Sequence, residues 1–377
     1  MKTNLPLHIP NIHIDKVKFI APCTHRPLGK TMYLDQDDLG FVSFSATAQD
    51  ISLKDGWETI HVRSRQINDG TGSAEMIEIH CCPPLVLQRH NLFGHSDLQS
   101  YIYALLNLIT RKLDINVDPF DRMEWDRGGI KITEAHLTTN FACDESLILP
   151  IIQAIDENKT QGKQRIIPTS ITLNGGIKRR STFHALTIYG KAQELRERFK
   201  NPGEVRRRLI VEAEKGIRVE VKLYSQSLKT LDLNYVMRWK DIDIADLFFN
   251  HLDKYKLPSS IQLAITDSAL ALLSKPEKNI YNYWLSGADL NSQFARTTVW
   301  KHTKSILKKT GIDISGNRRP VEHSNIDLNR IFSRENTLPI PDWAIGTEYY
   351  FSPDQKDFFK GSKHGIGRVA VQLPDGE

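Results

Sequence analysis

The chain has 377 residues, an apolar fraction of 40%, a charged fraction of 25% and a formal net charge of +5. That length and composition suit an ordinary globular protein of two domains. No apolar run is long enough for a membrane span, and the first twenty residues mix His8, Asp15 and Lys16 with short apolar pieces, unlike a secretory leader. The mild positive charge permits a polyanionic partner without requiring one.

In chain order, residues 39–46 and 57–64 alternate like paired strands, and little chemistry is visible before residue 72. Residues 75–82 form a strand with Glu78 and His80 on one face and Ile77 and Ile79 on the other, stopped by Pro83 and Pro84. A loop with His90, Asn91 and Gly94 follows, and Ser96 to Gln99 reads as a capping box opening a helix striped with Leu98, Tyr101, Ile102, Leu105, Leu108 and Ile109. Residues 130–141 form another strand, with Glu134 and His136 on the face of Ile132 and Thr138, and Asp144 caps a helix after it. In 181–191, alternation places Phe183, Ala185, Thr187, Tyr189 and Lys191 on one face, so an ammonium beside the phenol favours the phenolate. Helical residues 192–215 break at Asn201-Pro202-Gly203. Strand 216–224 faces Ile217, Val219, Val221 and Leu223 inward and Arg218, Glu220, Lys222 and Tyr224 outward.

The common pattern is a strand with one apolar face and one face of acids, imidazoles, phenols or ammonium groups. It predicts an α+β fold: an antiparallel sheet backed by helices on its apolar side and open on its polar side. Glu78, His80, His136 and Glu220 are the metal-ligand candidates; that donor set suits Mg2+ or Mn2+. Beside them Tyr189 is the candidate nucleophile, with Lys191 as its cation. Taken singly, each of these side chains is also an ordinary surface-strand residue, and the case for chemistry rests on the group. Cys23, Cys81, Cys82 and Cys143 lack C-x-x-C spacing and read as reduced thiols of a cytoplasmic protein.

After 225 the texture becomes mainly helical. Ile244, Leu247, Phe248 and Leu252 have helical spacing, as do short stretches at 268–274 and 280–285 and a longer one at 291–310. Helix, Gly-containing turn, basic helix is the outline of a helix-turn-helix, whose second helix enters a major groove. Arg296, Lys301 and Lys304 on that helix, and Arg179 and Arg180 before the Tyr189 strand, are candidate DNA contacts. His90 and Asn91 fit a ligand, a DNA contact or a loop lock equally. The remainder reads as loops with one aromatic anchor at 342–351.

Residues 83–98 resemble the signature of the filamentous-phage replication initiators, S-P-x-K-x-L-Q-G-H-N-x-F-G-x-x-D-L. Leu87, Gln88, His90, Asn91, Phe93, Gly94, Asp97 and Leu98 match, while Arg89 replaces a Gly. Residues 184–195 resemble the segment carrying the nicking tyrosine, with Tyr189 and Lys191 in place. Residues 216–223 resemble V-R-F-E-A-R-I, with Glu220 on its glutamate. Residues 132–138 stand where the family has I-S-R-I-D-A-T, which puts His136 on an aspartate; with the register slipped, it falls on the arginine.

The resemblance implies an HUH-like nickase and strand-transferase that starts rolling-circle replication. Tyr189 would become linked to the 5′ phosphate of a phage or plasmid origin, a divalent metal would polarise the phosphate, and the strand would later be resealed. The division expected is 1–225 for the nicking domain and 226–377 for a mainly helical DNA-binding domain. Host helicase and polymerase would be partners, in the host cytoplasm, with no membrane role. Two other readings compete. A non-catalytic, sequence-specific DNA-binding regulator would bind duplex without cutting it. A metal-dependent hydrolase using water would survive Tyr189→Phe.

Overall fold

The computed structural model describes residues 10–29, 31–36, 38, 42–46, 49–52, 59–68, 71–158, 164–167, 169–174, 183–262, 270–286, 289–310, 314 and 325–353. Arg179 and Arg180 and the first two residues of the 268–274 stretch lie outside these residues. Among the described residues, nine strands form one antiparallel sheet. In spatial order they are β4 (Gln49–Ser52), β5 (Thr59–Ile67), β6 (Ala74–Cys81), β1 (His13–His25), β7 (Lys131–Ala142), β11 (Gly216–Tyr224), β10 (His184–Tyr189), β9 (Ser170–Leu173) and β8 (Gln164–Ile167). Two short pairs stand apart: β2 (Thr31–Gln36) with β3 (Val42–Ala46), and β12 (Ser260–Gln262) with β13 (Asn325–Asp327). The pairing expected between 39–46 and 57–64 does not form. β3 bonds to β2, and β5 lies between β4 and β6, because alternation identifies strands but not their neighbours.

The helices are α1 (Pro83–Gln88), α2 (Leu98–Lys112), α3 (Pro119–Asp126), α4 (Glu145–Asn158), α5 (Lys191–Arg198), α6 (Glu204–Ala213), α7 (Ser225–Thr230) and α8 (Ile244–Asp253). One core unites the apolar faces of β1, β6, β7, β10 and β11 with α2, α4 and α8. Phe19, Ile79, Leu137, Ile188 and Val221 pack with Tyr101, Ile102, Ile151 and Phe248. Leu228, Val236, Trp239, Leu328 and Phe332 belong to the same core, so it runs across position 225. A separate cluster forms among Leu273, Ile280, Tyr281, Trp284, Leu290, Val299, Ile306 and Ile314.

Several local expectations change. Pro83 and Pro84 end β6 but also start α1, since proline at the first helical positions forfeits no hydrogen bond. The loop is therefore shorter than predicted, starting at Arg89 in the left-handed region (φ 65°). Helix α2 is capped by Asp97, whose carboxylate accepts from the Ser100 N–H at 2.9 Å, one residue later than the predicted cap. The predicted 291–310 helix is split into Leu290–Gln293 and Arg296–Thr310, because Phe294 is extended (φ −131°, ψ 151°) and packs edge-on against Tyr283. The basic helix therefore follows a third short helix, not one turn.

Two β-bulges set which side chains share the polar face. Between β1 and β7, Ile14 pairs with Leu137 and Lys16 with His136, leaving Asp15 as an extra residue. Lys18 pairs with Glu134 and Phe19 with Ile132, leaving Thr133 extra. The second bulge puts Ile132 in the core (1% exposed), not on the face of Glu134 and His136 as alternation predicted. The first keeps Ile14 and Val17 fully buried in the core while Asp15 joins the polar side.

The polar side is not open along its length. The Leu92 carbonyl accepts from Asn140 Nδ2 (2.6 Å) and Arg218 Nη1 (3.2 Å), laying the 89–95 loop over that end. Leu92 and Phe93 pack there with Ala192, Leu195, Phe199, Leu209, Ala213 and Ala344. Gly94 is required by this closeness: a Cβ there would stand 2.8 Å from the Tyr101 hydroxyl and 3.3 Å from His13 Cδ2. The 342–351 segment is the aromatic anchor expected. Phe351 stacks on Tyr101 (4.9 Å, 21°), and Trp343 meets Phe93 edge-on at 6.0 Å.

Candidate active site

β10 and β11 run antiparallel with Tyr189 opposite Arg218 and Thr187 opposite Glu220. This register brings the Tyr189 hydroxyl to Glu220, donating to Oε1 at 2.7 Å. Glu220 is in turn flanked by Arg218 Nε (3.4 Å) and Lys222 Nζ (3.4 Å). Arg218, fully buried, also donates to Asp15 Oδ1 at 2.9 Å, and the same oxygen accepts from Asn91 Nδ2 at 2.8 Å. The 83–98 segment, the start of β1 and the two central strands therefore meet at one point.

Burial opposes ionisation of Glu220, but the Lys222 and Arg218 charges outweigh it and hold the carboxyl well below the usual range. The Tyr189 hydroxyl moves the other way. Burial and the Glu220 charge raise it well above the ordinary tyrosine value, and Arg218 offsets only part. This reverses the expectation of a resting phenolate favoured by Lys191. Lys191 is not on the strand: Gly190 ends β10 and Lys191 opens α5. Its ammonium sits 5.9 Å from the Tyr189 ring centroid and is held by both Glu194 oxygens at 2.8 Å. Burial, followed by the charge of Arg218, lowers its pKa. A cleft of about 310 Å³ opens beside Tyr189, lined by Thr169, Ser170, Thr187, Gln193, Glu197 and Glu220 among others.

The ligand-capable atoms of Asp15, His136 and Glu220 all lie within 4.8 Å of one another, and all three residues are buried. One imidazole and two carboxylates fit a hard or borderline divalent cation. Around them are buried polar atoms that lack a hydrogen-bond partner among the described residues: both His13 ring nitrogens, Asn91 Oδ1 and Thr138 Oγ1. Thr138 pairs with both His13 and Glu220 across the sheet, so these orphans adjoin the carboxylates. Burial, then the Arg218 charge, keeps the His13 imidazole neutral, its pKa well below the usual value. The nearby Asn91 backbone opposes that shift, without reaching either ring nitrogen in hydrogen-bond geometry. Such a cluster of unsatisfied groups fits a bound cation and its water better than empty packing.

Of the residues singled out in the sequence, Tyr189, His136 and Glu220 come together, with Lys191 beside them. Glu78 does not join them; it is held by Arg65 (2.9 Å) and Lys18 (3.3 Å). His80 shares the polar face but lies outside the group. Its buried Nε2 has no hydrogen-bond partner among the described residues, its ring centroid is 6.1 Å from that of His61, and burial, then Lys16, lowers its pKa to about 4. His136 is also paired with the acid beside it, Nε2 lying 2.8 Å from Glu134 Oε1.

His90 is enclosed, 2% exposed. Its Nε2 meets the Tyr349 carbonyl at 2.8 Å and its Nδ1 accepts from the Leu92 N–H, which fixes the Nε2-protonated tautomer. It locks the loop and is not displayed to DNA, and Asn91 is likewise buried against Asp15. Arg296, Lys301 and Lys304 are exposed on the helix Arg296–Thr310.

Asp15, His13 and the anchoring role of Arg218 were missed. The alternation His13-Ile14-Asp15 ahead of an apolar run was the available signal, but strict alternation carries Asp15 onto the face of Val17, and only the bulge resolves that.

Residues 13–242 match a family model that describes the N-terminal part of the phage replication-associated protein. The chain belongs to this family of phage replication-associated proteins. The replication-associated protein of Enterobacteria phage I2-2 is 22% identical over 320 residues, covering 83% of this chain and 91% of that protein. No solved structure matches. The matched span takes in Asp15, the 83–98 segment, His136, Tyr189 and Glu220, in agreement with the filamentous-phage resemblance read from the sequence. Among the described residues, no helix is long and apolar enough to cross a membrane. Cys23, Cys81, Cys82 and Cys143 are buried and form no disulfide with one another.

Proposed function

We propose that this phage replication-associated protein nicks one strand at a phage replication origin, with Tyr189 as nucleophile, and later reseals it. The observation that carries the reading is the Tyr189–Glu220 hydrogen bond at 2.7 Å, made to a carboxylate that belongs to the Asp15–His136–Glu220 group. Glu220 is ionised and correctly placed to take the hydroxyl proton as the oxygen attacks phosphorus. The new bond is Tyr189 Oη–P; the bond that breaks is P–O3′, leaving a 3′ hydroxyl after protonation from water. Resealing is the reverse: the 3′ oxygen attacks phosphorus and the phenolate recovers its proton from Glu220.

Asp15, His136 and Glu220 are the residues that would hold Mg2+ or Mn2+, which supplies Lewis-acid polarisation of the phosphate. Arg218 bridges the two carboxylates and holds them in place. Lys191, with its ammonium 5.9 Å from the Tyr189 ring centroid, can exchange Glu194 for the phosphate. The raised pKa of Tyr189 makes Glu220, not resting deprotonation, the source of activation.

The test is incubation with supercoiled origin DNA and Mn2+, wild type beside Tyr189→Phe. Wild type should give nicked circles with protein on the 5′ end, and the variant neither. Nicking that survives in the variant would assign the attack to water; duplex binding by wild type without any cut would favour the regulator.

A further inference from the structure

We infer that the helix Arg296–Thr310 is a second DNA-binding surface whose partner is single-stranded DNA, with Trp300 as a stacking platform for a base. This helix lies outside the span that matches the family, 13–242, and the inference does not depend on the Tyr189 site.

The argument starts from the arrangement of its side chains. Arg296, Trp300, Lys304 and Lys308 recur every four residues, which places them in one stripe about 18 Å long. Lys301 lies beside the stripe, and all five are exposed. The helix contains no Asp or Glu. Its opposite face is fixed: Val299, Thr303 and Ile306 are buried, and Lys309 Nζ reaches Glu277 at 2.7 Å. The stripe is therefore held outward on a packed helix. Arg296, Lys301, Lys304 and Lys308 have no ion-pair partner among the described residues, whereas Lys309 does.

Trp300 decides the partner. It is 63% exposed, on a helix whose core positions are already filled. The Lys304 ammonium stands over the ring, 4.2 Å from its centroid, a cation–π contact that steadies the indole on one face while the residue stays mostly exposed. Arg and Lys can meet base edges in a major groove as well as phosphates, so the cations alone do not choose. The exposed ring does, because base faces are accessible only in a single strand. Single-strand binding is thus the role inferred for this helix in place of the duplex reading that the helix-turn-helix outline suggested.

The test uses the full chain and fluorescence anisotropy with a labelled oligothymidine, with mixed-sequence duplex as the comparison. Trp300→Ala should weaken oligothymidine binding roughly tenfold or more, and Trp300→Phe should keep most of it. Lys301→Gln with Lys308→Gln should weaken binding and reduce the salt slope by about 0.7 per lost phosphate contact. Anisotropy measured in EDTA reads binding without strand cleavage, so failure of the nicking reading leaves this one intact. Unfolding in urea followed by circular dichroism checks that Trp300→Ala keeps its fold. Oligothymidine binding unchanged in folded Trp300→Ala, or equal loss for oligothymidine and duplex, overturns the inference. If Trp300→Ala does not fold, the lysine pair decides: an unchanged salt slope rejects the surface.

Discussion

Arg218→Met tests whether one buried guanidinium organises the site. Arg218 is fully buried and makes three contacts: Asp15 Oδ1 at 2.9 Å, the Leu92 carbonyl at 3.2 Å and Glu220 Oε1 at 3.4 Å. Methionine fills similar space but leaves two carboxylates without their counter-ion. Glu220 keeps Lys222 at 3.4 Å; among the described residues Asp15 keeps the neutral Asn91 amide and the weak Cys82 thiol contact at 3.7 Å, so Asp15 bears most of the loss. Removing one partner of a buried pair costs about 3–5 kcal/mol, a fall in melting temperature on the order of 10 °C. Mn2+ should restore stability to the variant more than it adds to wild type, since the carboxylates have lost their competing charge. Urea unfolding followed by circular dichroism, with and without Mn2+, reads both effects. A loss under about 1 kcal/mol that is independent of metal would refute the counter-ion role.

Other expectations follow from the same contacts. His90→Ala should destabilise by about 2–4 kcal/mol, from the lost Tyr349 and Leu92 bonds and the 4.5 Å edge contact with Phe93. It should leave the salt dependence of DNA binding unchanged; a changed slope would return His90 to the DNA interface. Acid should destabilise the wild type in two stages, measured by urea midpoints against pH. Burial lowers the His90 and His80 pKa values to about 4, so the unfolded chain takes up protons first as pH falls below the ordinary histidine value. Glu134 follows: burial opposes its ionisation, but the His136 hydrogen bond and charge hold it to about 2, so its contribution is lost between the ordinary carboxylate range and that value. Midpoints flat from neutral pH to about 4 would show that the imidazoles are not buried neutral.

The sequence by itself determined the strands that matter and their polar faces. Alternation in 216–224 and 184–189 gave Glu220, Arg218 and Tyr189 the right face, because a side-chain period of two needs no tertiary information. The 83–98 segment was enough to identify the family. Alternation does not say which strands are neighbours, and it fails where one residue is extra. Asp15 therefore entered the site only through a bulge, and Ile132 left the polar face by another. Glu78 and His80, on the correct face, fell outside the group because their strand lies two places from β7, with β1 between them. The pKa of Tyr189 was a tertiary outcome too. The sequence offered Lys191 as its neighbour, but the chain turned into a helix at Gly190 and gave that lysine to Glu194, leaving Glu220 against the hydroxyl. Tertiary structure decided these points because charge and ligand sets depend on distances of a few ångströms between segments far apart in the chain, and only packing of the whole sheet fixes those.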